Sequence, residues 1–123
     1  MAPITNQFNP QLIIISAGQD ASIFDPLARM MVTAEGYAKM TALMMDLAAK
    51  NCDGKLVACH EGGYSTAYVP FCSHAIVETM RGIKTDVGDP FIHAFSGVPT
   101  EMLPHQAERI ATIKETLQPY WKL

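Results

Sequence analysis

Apolar positions along this chain follow two different periods, which predict strands alternating with helices. Residues 12–15 form a continuous apolar run rich in β-branched side chains, and the small residues 16–18 end it. A second near-continuous apolar run lies within residues 55–60. Because neither run alternates apolar with polar residues, both are typical of strands covered on each face, as in a parallel sheet flanked by helices.

Between these runs, apolar residues recur at steps of three and four, which predicts an amphipathic helix over residues 34–50. Thr33 is a suitable N-cap for this helix, Glu35 suits its positive N-terminus, and Asn51 with Asp53-Gly54 supplies the stop and turn. A second helix is predicted from residue 65 or 66 to residue 81, with Pro70 tolerated only in the first turn. The remaining chain is interpreted as a polar entry segment with Pro3 and Pro10 (1–11), a long loop (82–99) and a last helix (104–118).

Strand, helix and strand in this order form a parallel, right-handed βαβ unit. The fold class expected is therefore α/β, a βαβα unit with parallel strands plus a C-terminal helix. A length of 123 residues fits one domain over 1–123.

Composition excludes some function classes. With 49% hydrophobic and only 17% charged residues, the chain is not of the disordered type. Its eight methionines either fill a soft core or lie on a surface that self-associates, and both interpretations stay open. The net charge of -3 and the scattered Lys and Arg residues indicate no nucleic acid partner. No apolar run is long enough to span a membrane, and three cysteines without a CxxC pair fit a cytoplasmic protein.

Candidate chemistry lies in the two loops that leave the strands. Ligands of open parallel sheets sit beyond the carboxyl ends of the strands, so Asp20, Asp25, Glu61 and Tyr64 are expected in one neighbourhood. Asp25 precedes a proline, which favours extended geometry there, and its carboxylate could ligate a metal or bond back to the backbone in a turn.

The loop before Tyr64 contains two glycines, Gly62 and Gly63, which allow backbone conformations closed to other residues. This loop could aim the phenol into a cleft, where its hydroxyl could donate to an oxyanion, or it could be an ordinary turn with Tyr64 packed at the rim. The histidines form neither HxH nor HExxH, so structural or solvated roles are expected of them. They are His60, His74, His93 and His105.

Several short segments follow one another in a fixed order along residues 10–90. They are Ser16-Ala17-Gly18, Asp20-Ala21, Asp25-Pro26-Leu27, Thr33-Ala34-Glu35-Gly36-Tyr37 and Glu61-Gly62-Gly63-Tyr64-Ser65. Together they resemble the zinc-dependent histone deacetylase and acetylpolyamine amidohydrolase family, and they are most similar to its bacterial class 2 amidohydrolases.

The resemblance implies an arginase/deacetylase-type fold and hydrolysis of acetyl-lysine-type amides. It implies that Asp25 is one zinc ligand, that Tyr64 polarises the acyl carbonyl, and that Gly62 and Gly63 shape the substrate channel. The family's His-His and Asp-x-His motifs do not occur in these 123 residues, and Gln19 stands where the family usually has an aromatic residue. One carboxylate cannot hold zinc alone, so the chain by itself is expected to be inactive and to bind zinc weakly.

These departures suggest the C-terminal part of a deacetylase-like domain, and residues 2–4 resemble the middle of a longer chain. Three hypotheses follow: a catalytically silent piece, a small self-associating interaction module, or a hydrolase completed by a partner chain or a missing N-terminal portion. Because two strands cut from a larger sheet would leave open edges, a homo-oligomer, most simply a dimer, is expected.

Overall fold

The computed structural model describes residues 1–95 and 101–123. These residues form two compact units, one comprising Pro10–Asp89 and the other comprising Met1–Asn9 with Pro90–Leu123. The prediction of a single domain over 1–123 stays a prediction. Within the described residues, the elements in chain order are α1 (Ala2–Phe8), β1 (Ile13–Ala17), α2 (Ala34–Cys52), β2 (Leu56–His60), α3 (Val69–Arg81), a short 3-10 helix (Ile92–Phe95) and α4 (Pro104–Leu117).

The larger unit, Pro10–Asp89, contains the predicted parallel pair of strands. β1 and β2 pair in parallel, with Ile13 opposite Leu56 at one end and Ala17 opposite His60 at the other. The helix α2 connects the two strands and packs against α3. The βαβα order and the parallel sheet are therefore confirmed.

The ends of α2 follow the chemistry that the sequence predicts. Thr33 has extended backbone geometry, and its side-chain oxygen accepts a hydrogen bond from the backbone N–H of Gly36 at 3.1 Å. Asp53 ends the helix in the left-handed region at φ 53°, and Gly54 follows it at φ 76°. The N-cap prediction is confirmed, and the helix extends two residues beyond the predicted end.

Two helices differ from the prediction. The entry segment 1–11, for which no element was predicted, contains α1 (Ala2–Phe8) with Pro3 in its first turn, where a proline leaves no intrahelical bond unmade. The helix expected from residue 65 or 66 begins only at Val69, after a turn in which the Ser65 carbonyl accepts bonds from the N–H groups of Tyr68 and Val69. Pro70 does lie in the first turn of α3.

The core of the larger unit is built from one face of each helix and a single strand residue. Methionine contributes nothing to this core: all eight methionines are half-buried or exposed, so the interpretation as a methionine-filled core was wrong. The buried apolar residues are Ile13, Ala34, Tyr37, Leu47, Ala48, Cys52, Tyr68, Cys72 and Ile76.

The sheet presents one apolar face to solvent. Ile14 and Val57 are neighbours in the strand register, and they are 63% and 45% exposed. The expectation that both faces of each strand are covered is therefore wrong for the described part of the chain. The sheet found there has only two strands, so each strand is paired along one side alone. No helix among the described residues combines the length and apolarity that crossing a bilayer requires.

Candidate active-site edge

Asp25 lies in the loop between β1 and α2, and the residue is only 8% exposed. One oxygen, Oδ1, accepts hydrogen bonds from the backbone N–H groups of Leu27 at 2.9 Å and Ala28 at 3.3 Å. The other oxygen, Oδ2, accepts a bond from the backbone N–H of Tyr64 at 2.7 Å. The carboxylate therefore closes its own turn and also joins the loop after β1 to the loop after β2.

This arrangement keeps Asp25 ionised. Burial alone would raise the pKa of the carboxyl group, but the backbone N–H groups of Tyr64, Leu27, Ala28 and Ser65 donate to it. Because these donors stabilise the charged form, the pKa of Asp25 lies below its ordinary value of 3.8. At neutral pH the loop junction therefore holds a fixed negative charge.

The glycines before Tyr64 are required by close approach. Gly63 has φ +148°, and a Cβ added there would lie 2.9 Å from Val69 Cγ2 and 3.0 Å from Gln19 Cβ. A Cβ added at Gly62 would lie 2.7 Å from Asp20 Oδ2. A larger residue at Gly63 would push this loop away from the loop after β1, whereas one at Gly62 would displace the Asp20 carboxylate.

The structure thus brings Asp20, Asp25 and Tyr64 to the same edge of the sheet. Asp20 is adjacent to Gly62, and Asp25 holds the backbone of Tyr64, whose side chain is 54% exposed. Glu61 joins the same edge through its N–H, which donates to the Ala17 carbonyl at 3.3 Å. The predicted neighbourhood is confirmed, whereas the chemical roles of Asp25, Gly62, Gly63 and Tyr64 stay predictions.

Tyr37 also belongs to this edge, although sequence reasoning assigned it no role beyond its place in the amphipathic helix and in a family motif. Its hydroxyl donates to the Gly18 carbonyl at 3.2 Å, at the point where β1 gives way to the loop. Burial, followed by the negative potential of Cys72, Asp20 and Asp25, raises the pKa of Tyr37 to about 12. Its position at a helical step had indicated core packing, and no sequence signal marked the hydroxyl.

Gln19 was noted in the sequence only as a departure from the family pattern, but the structure gives it a buried position. It is 2% exposed and lies between the two loops. Its amide contacts His60 Nδ1 at 3.2 Å, which gives that histidine a structural partner. His74 has one as well, since its Nε2 lies 3.1 Å from Thr85 Oγ1.

The described residues do not fit a zinc site by themselves. Over residues 1–95 and 101–123 there is no group of three His, Cys, Asp or Glu side chains that could hold a metal ion. A tetrahedral zinc site requires at least three protein ligands. Asp25 is the one candidate ligand that the sequence resemblance assigned here, so two or more ligands would have to come from elsewhere.

Asp25 and Tyr64 therefore lie in the loops that follow two adjacent parallel strands of an α/β unit, β1 and β2. The histone deacetylase domain matches residues 1–80. The chain therefore belongs to the histone deacetylase family, and its unit has the fold of part of that domain.

Relatives and solved structures agree with this membership. Over 88 residues the chain is 47% identical to a histone deacetylase-like amidohydrolase of Pseudomonas aeruginosa, a match that covers 72% of this chain and 23% of that protein. It is 46% identical over 81 residues to a probable deacetylase of Archaeoglobus fulgidus, which covers 65% of this chain and 23% of that protein. The crystal structure of the HDA15 HD domain superposes with a TM-score of 0.76 at 28% identity, covering 97% of this chain and 28% of that one. The chain spans about a quarter of the length of these proteins.

Proposed function

We propose that this chain supplies one part of a zinc-dependent deacetylase-type site that hydrolyses acetyl-lysine-type amides, and that it has no activity alone. The hydrogen bond from the Tyr64 N–H to Asp25 Oδ2 at 2.7 Å carries this proposal. It fixes a candidate metal ligand and a candidate oxyanion donor to each other at the sheet edge where ligands of parallel sheets bind.

Each residue has a defined share of the chemistry. Backbone N–H groups fix the position of the Asp25 carboxylate and stabilise its charged form, so it would meet a cation as a preorganised, negatively charged ligand. The half-exposed phenol of Tyr64 can donate a hydrogen bond to the oxygen of an amide carbonyl as negative charge develops on it. The sequence contains neither the family's His-His motif, which transfers protons, nor its Asp-x-His motif, which supplies the other zinc ligands. No reaction step is therefore assigned to this chain alone.

A chimera tests the proposed roles. Residues 10–89 would replace the matching segment of the Pseudomonas relative, and hydrolysis of an acetyl-lysine peptide would be measured. We expect an active chimera in which Tyr64→Phe lowers kcat by about 10²–10³-fold, the usual loss for one oxyanion donor. Asp25→Ala should abolish both activity and stoichiometric zinc. Tyr120→Phe makes the same change at an exposed side chain and controls for expression and folding. It is made in the isolated chain, because the chimera contains only residues 10–89.

The isolated chain provides the complementary measurement. Zinc content and turnover of the same peptide are determined for residues 1–123 after exposure to zinc. We expect less than one tightly bound zinc per chain and no turnover. One zinc per chain together with turnover would overturn the proposed inactivity and would instead support a hydrolase completed by self-association.

A self-associating interaction module is the second candidate function. It is favoured by the exposed apolar pair Ile14 and Val57 on a two-stranded sheet, together with methionines that do not enter the core. Sedimentation over a range of concentrations should then show a dimer. Ile14→Lys should yield a monomer, whereas Val87→Lys, at an exposed loop position, should leave the dimer intact. A monomer at all concentrations would exclude this function.

A further inference from the structure

We propose that Gln19 is a positioning residue that fixes the tyrosine loop, defined as residues 61–64, against the loop that carries Asp25. It contacts the residue before the tyrosine loop, the middle of the loop and a residue after it. This inference takes its catalytic meaning from the function proposed above, but the position of the loop is measurable without turnover.

The backbone of Gln19 makes the first connection. Its N–H donates to the carbonyl of Gly62, a bond between the loop after β1 and the loop after β2. This bond lies beyond the last paired residues of the strands, Ala17 and His60, and continues their pairing into the loops. The tyrosine loop is therefore held at its second residue by the main chain.

The side chain of Gln19 makes two more connections, one on each side of the loop. Its Nε2 lies 3.2 Å from Nδ1 of His60, the residue that directly precedes the loop. Its Oε1 accepts a hydrogen bond from Ser73 Oγ at 2.9 Å, and Ser73 lies on α3, after the loop. One amide thus spans from the strand that leads into the loop to the helix that follows it.

Packing supplies the third constraint. A Cβ added at Gly63 would come within 3.0 Å of Gln19 Cβ, so the loop backbone lies directly against the stem of this side chain. Gln19 is 2% exposed, and burial of an amide is unfavourable unless its polar atoms are bonded. An apolar side chain could fill the same space, but it would lose the contacts with His60 and Ser73 on the two sides of the loop.

Gln19 is not placed in contact with substrate, so its effect acts through Tyr64. The N–H of Tyr64 is bonded to Asp25 Oδ2, and its exchange with solvent reports how often the loop opens. The matched control is Thr41→Val, because Thr41 is also a buried polar residue and its hydroxyl bonds within α2, to the Tyr37 carbonyl. That control removes a buried hydrogen bond without touching the loop.

The test uses the whole chain with Gln19→Met, which keeps the side-chain length and removes the amide. Amide hydrogen exchange is compared at Tyr64 and at Ala48, a fully buried α2 residue. We expect exchange at Tyr64 to accelerate at least tenfold relative to Ala48 in Gln19→Met, and the ratio to stay unchanged in Thr41→Val. When the Gln19→Met chain is labelled with 3-fluorotyrosine, the ¹⁹F resonance of Tyr64 should shift or broaden, while that of Tyr120 should not.

An unchanged exchange ratio and an unchanged Tyr64 resonance in folded Gln19→Met would overturn the proposal. If Gln19→Met does not fold, His60→Leu replaces it, since it removes one partner of the amide at an exposed position. It should change the same ratio in the same direction, and no change would again overturn the proposal. In the chimera, Gln19→Met should lower kcat more than it raises KM. A chimera without activity would refute the proposed function, while the exchange ratio would still decide the role of Gln19.

Discussion

The buried hydroxyl of Tyr68 offers a sharp test of how the larger unit is held together. Tyr68 is fully buried, its hydroxyl donates to Asp89 Oδ2 at 2.7 Å, and it accepts a bond from the Ala34 N–H at 3.0 Å. Burial and the bond to Asp89 raise the pKa of Tyr68 well above its ordinary value of 10.0, so the donor proton is present at neutral pH. Tyr68→Phe removes only this oxygen.

The magnitude follows from the two bonds that are lost. A hydrogen bond to a charged group contributes about 1.5–3 kcal/mol net, and a buried donor left without a partner costs about 1–3 kcal/mol. The Ala34 N–H belongs to the first turn of α2, where no intrahelical acceptor can replace the phenol. Asp89 is only half-buried and regains some hydration. We therefore expect Tyr68→Phe to lower the free energy of unfolding by about 2–4 kcal/mol.

Urea denaturation followed by circular dichroism at 222 nm measures this change. With an m value of about 2 kcal/mol/M, the midpoint should fall by about 1–2 M at constant m. Tyr120→Phe, which removes a phenol oxygen from a side chain that is 77% exposed, is the matched control. Asp89→Asn and the double variant complete a cycle that isolates the energy of coupling between the phenol and the carboxylate.

Two results would refute this reasoning. The first is a loss below about 0.5 kcal/mol for Tyr68→Phe, the range of ordinary surface substitutions. The second is additivity of Tyr68→Phe and Asp89→Asn in the cycle, which would mean that the 2.7 Å contact contributes no coupling energy.

Three further predictions concern the N-cap, the tyrosine loop and alkaline pH. Thr33→Ala should cost about 1 kcal/mol in urea denaturation, because the Gly36 N–H loses its acceptor. Gly63→Ala should cost about 1–3 kcal/mol in the same assay, because its φ of +148° and the 2.9 Å approach to Val69 both penalise a Cβ. Burial, with a smaller effect of the Asp89 charge, raises the pKa of Cys72 from 9.0 to about 12. Its contribution to stability is therefore complete below pH 9 and declines as the pH rises toward about 12, because the unfolded thiol ionises first. Cys72→Ala should flatten this decline in unfolding free energy measured from pH 8 to 11.

Each of these predictions has a specific contradicting outcome. Thr33→Ser retains a hydroxyl, so an equal loss in Thr33→Ser and Thr33→Ala would show that the cap bond is not the cause. Gly88→Ala meets open space without positive φ, so it should be neutral, and a similar effect at Gly63 and Gly88 would contradict the steric argument. An alkaline slope that is identical with and without Cys72 would exclude its thiol as the source.

The strands and the central helix could be predicted because their signals are local. Apolar runs gave β1 and β2, and Thr33 together with Asp53 and Gly54 marked the ends of α2 by cap and turn chemistry. The start of α3 was misplaced because residues before Pro70 can form a turn as readily as a helix, and here the Ser65 carbonyl accepts two turn bonds. The helix α1 was not predicted because it is short and polar, with Pro3 in its first turn and Pro10 soon after its end.

The candidate site could be predicted in location but not in its internal bonds. Chain order and parallel pairing are sufficient to place the loops of Asp25 and Tyr64 at one edge. The bond between them uses the backbone N–H of Tyr64, and a backbone donor leaves no trace in the sequence. The role of Gln19 was missed for a similar reason, since its partners His60 and Ser73 are 41 and 54 residues away along the chain.

The bonds around Asp25 bear on how such a site would be completed. In the proposed function, the other ligands come from another segment, which would meet a carboxylate already fixed by the Leu27, Ala28 and Tyr64 N–H groups. The Asp25 carboxylate is already ordered when the unit Pro10–Asp89 folds, so less conformational entropy is lost when the site is completed. A lowered pKa keeps the carboxylate charged before any cation arrives. In the proposed function, the completing segment would therefore have to cover the exposed Ile14 and Val57 face and supply the missing ligands, while Asp25 would not need to rearrange.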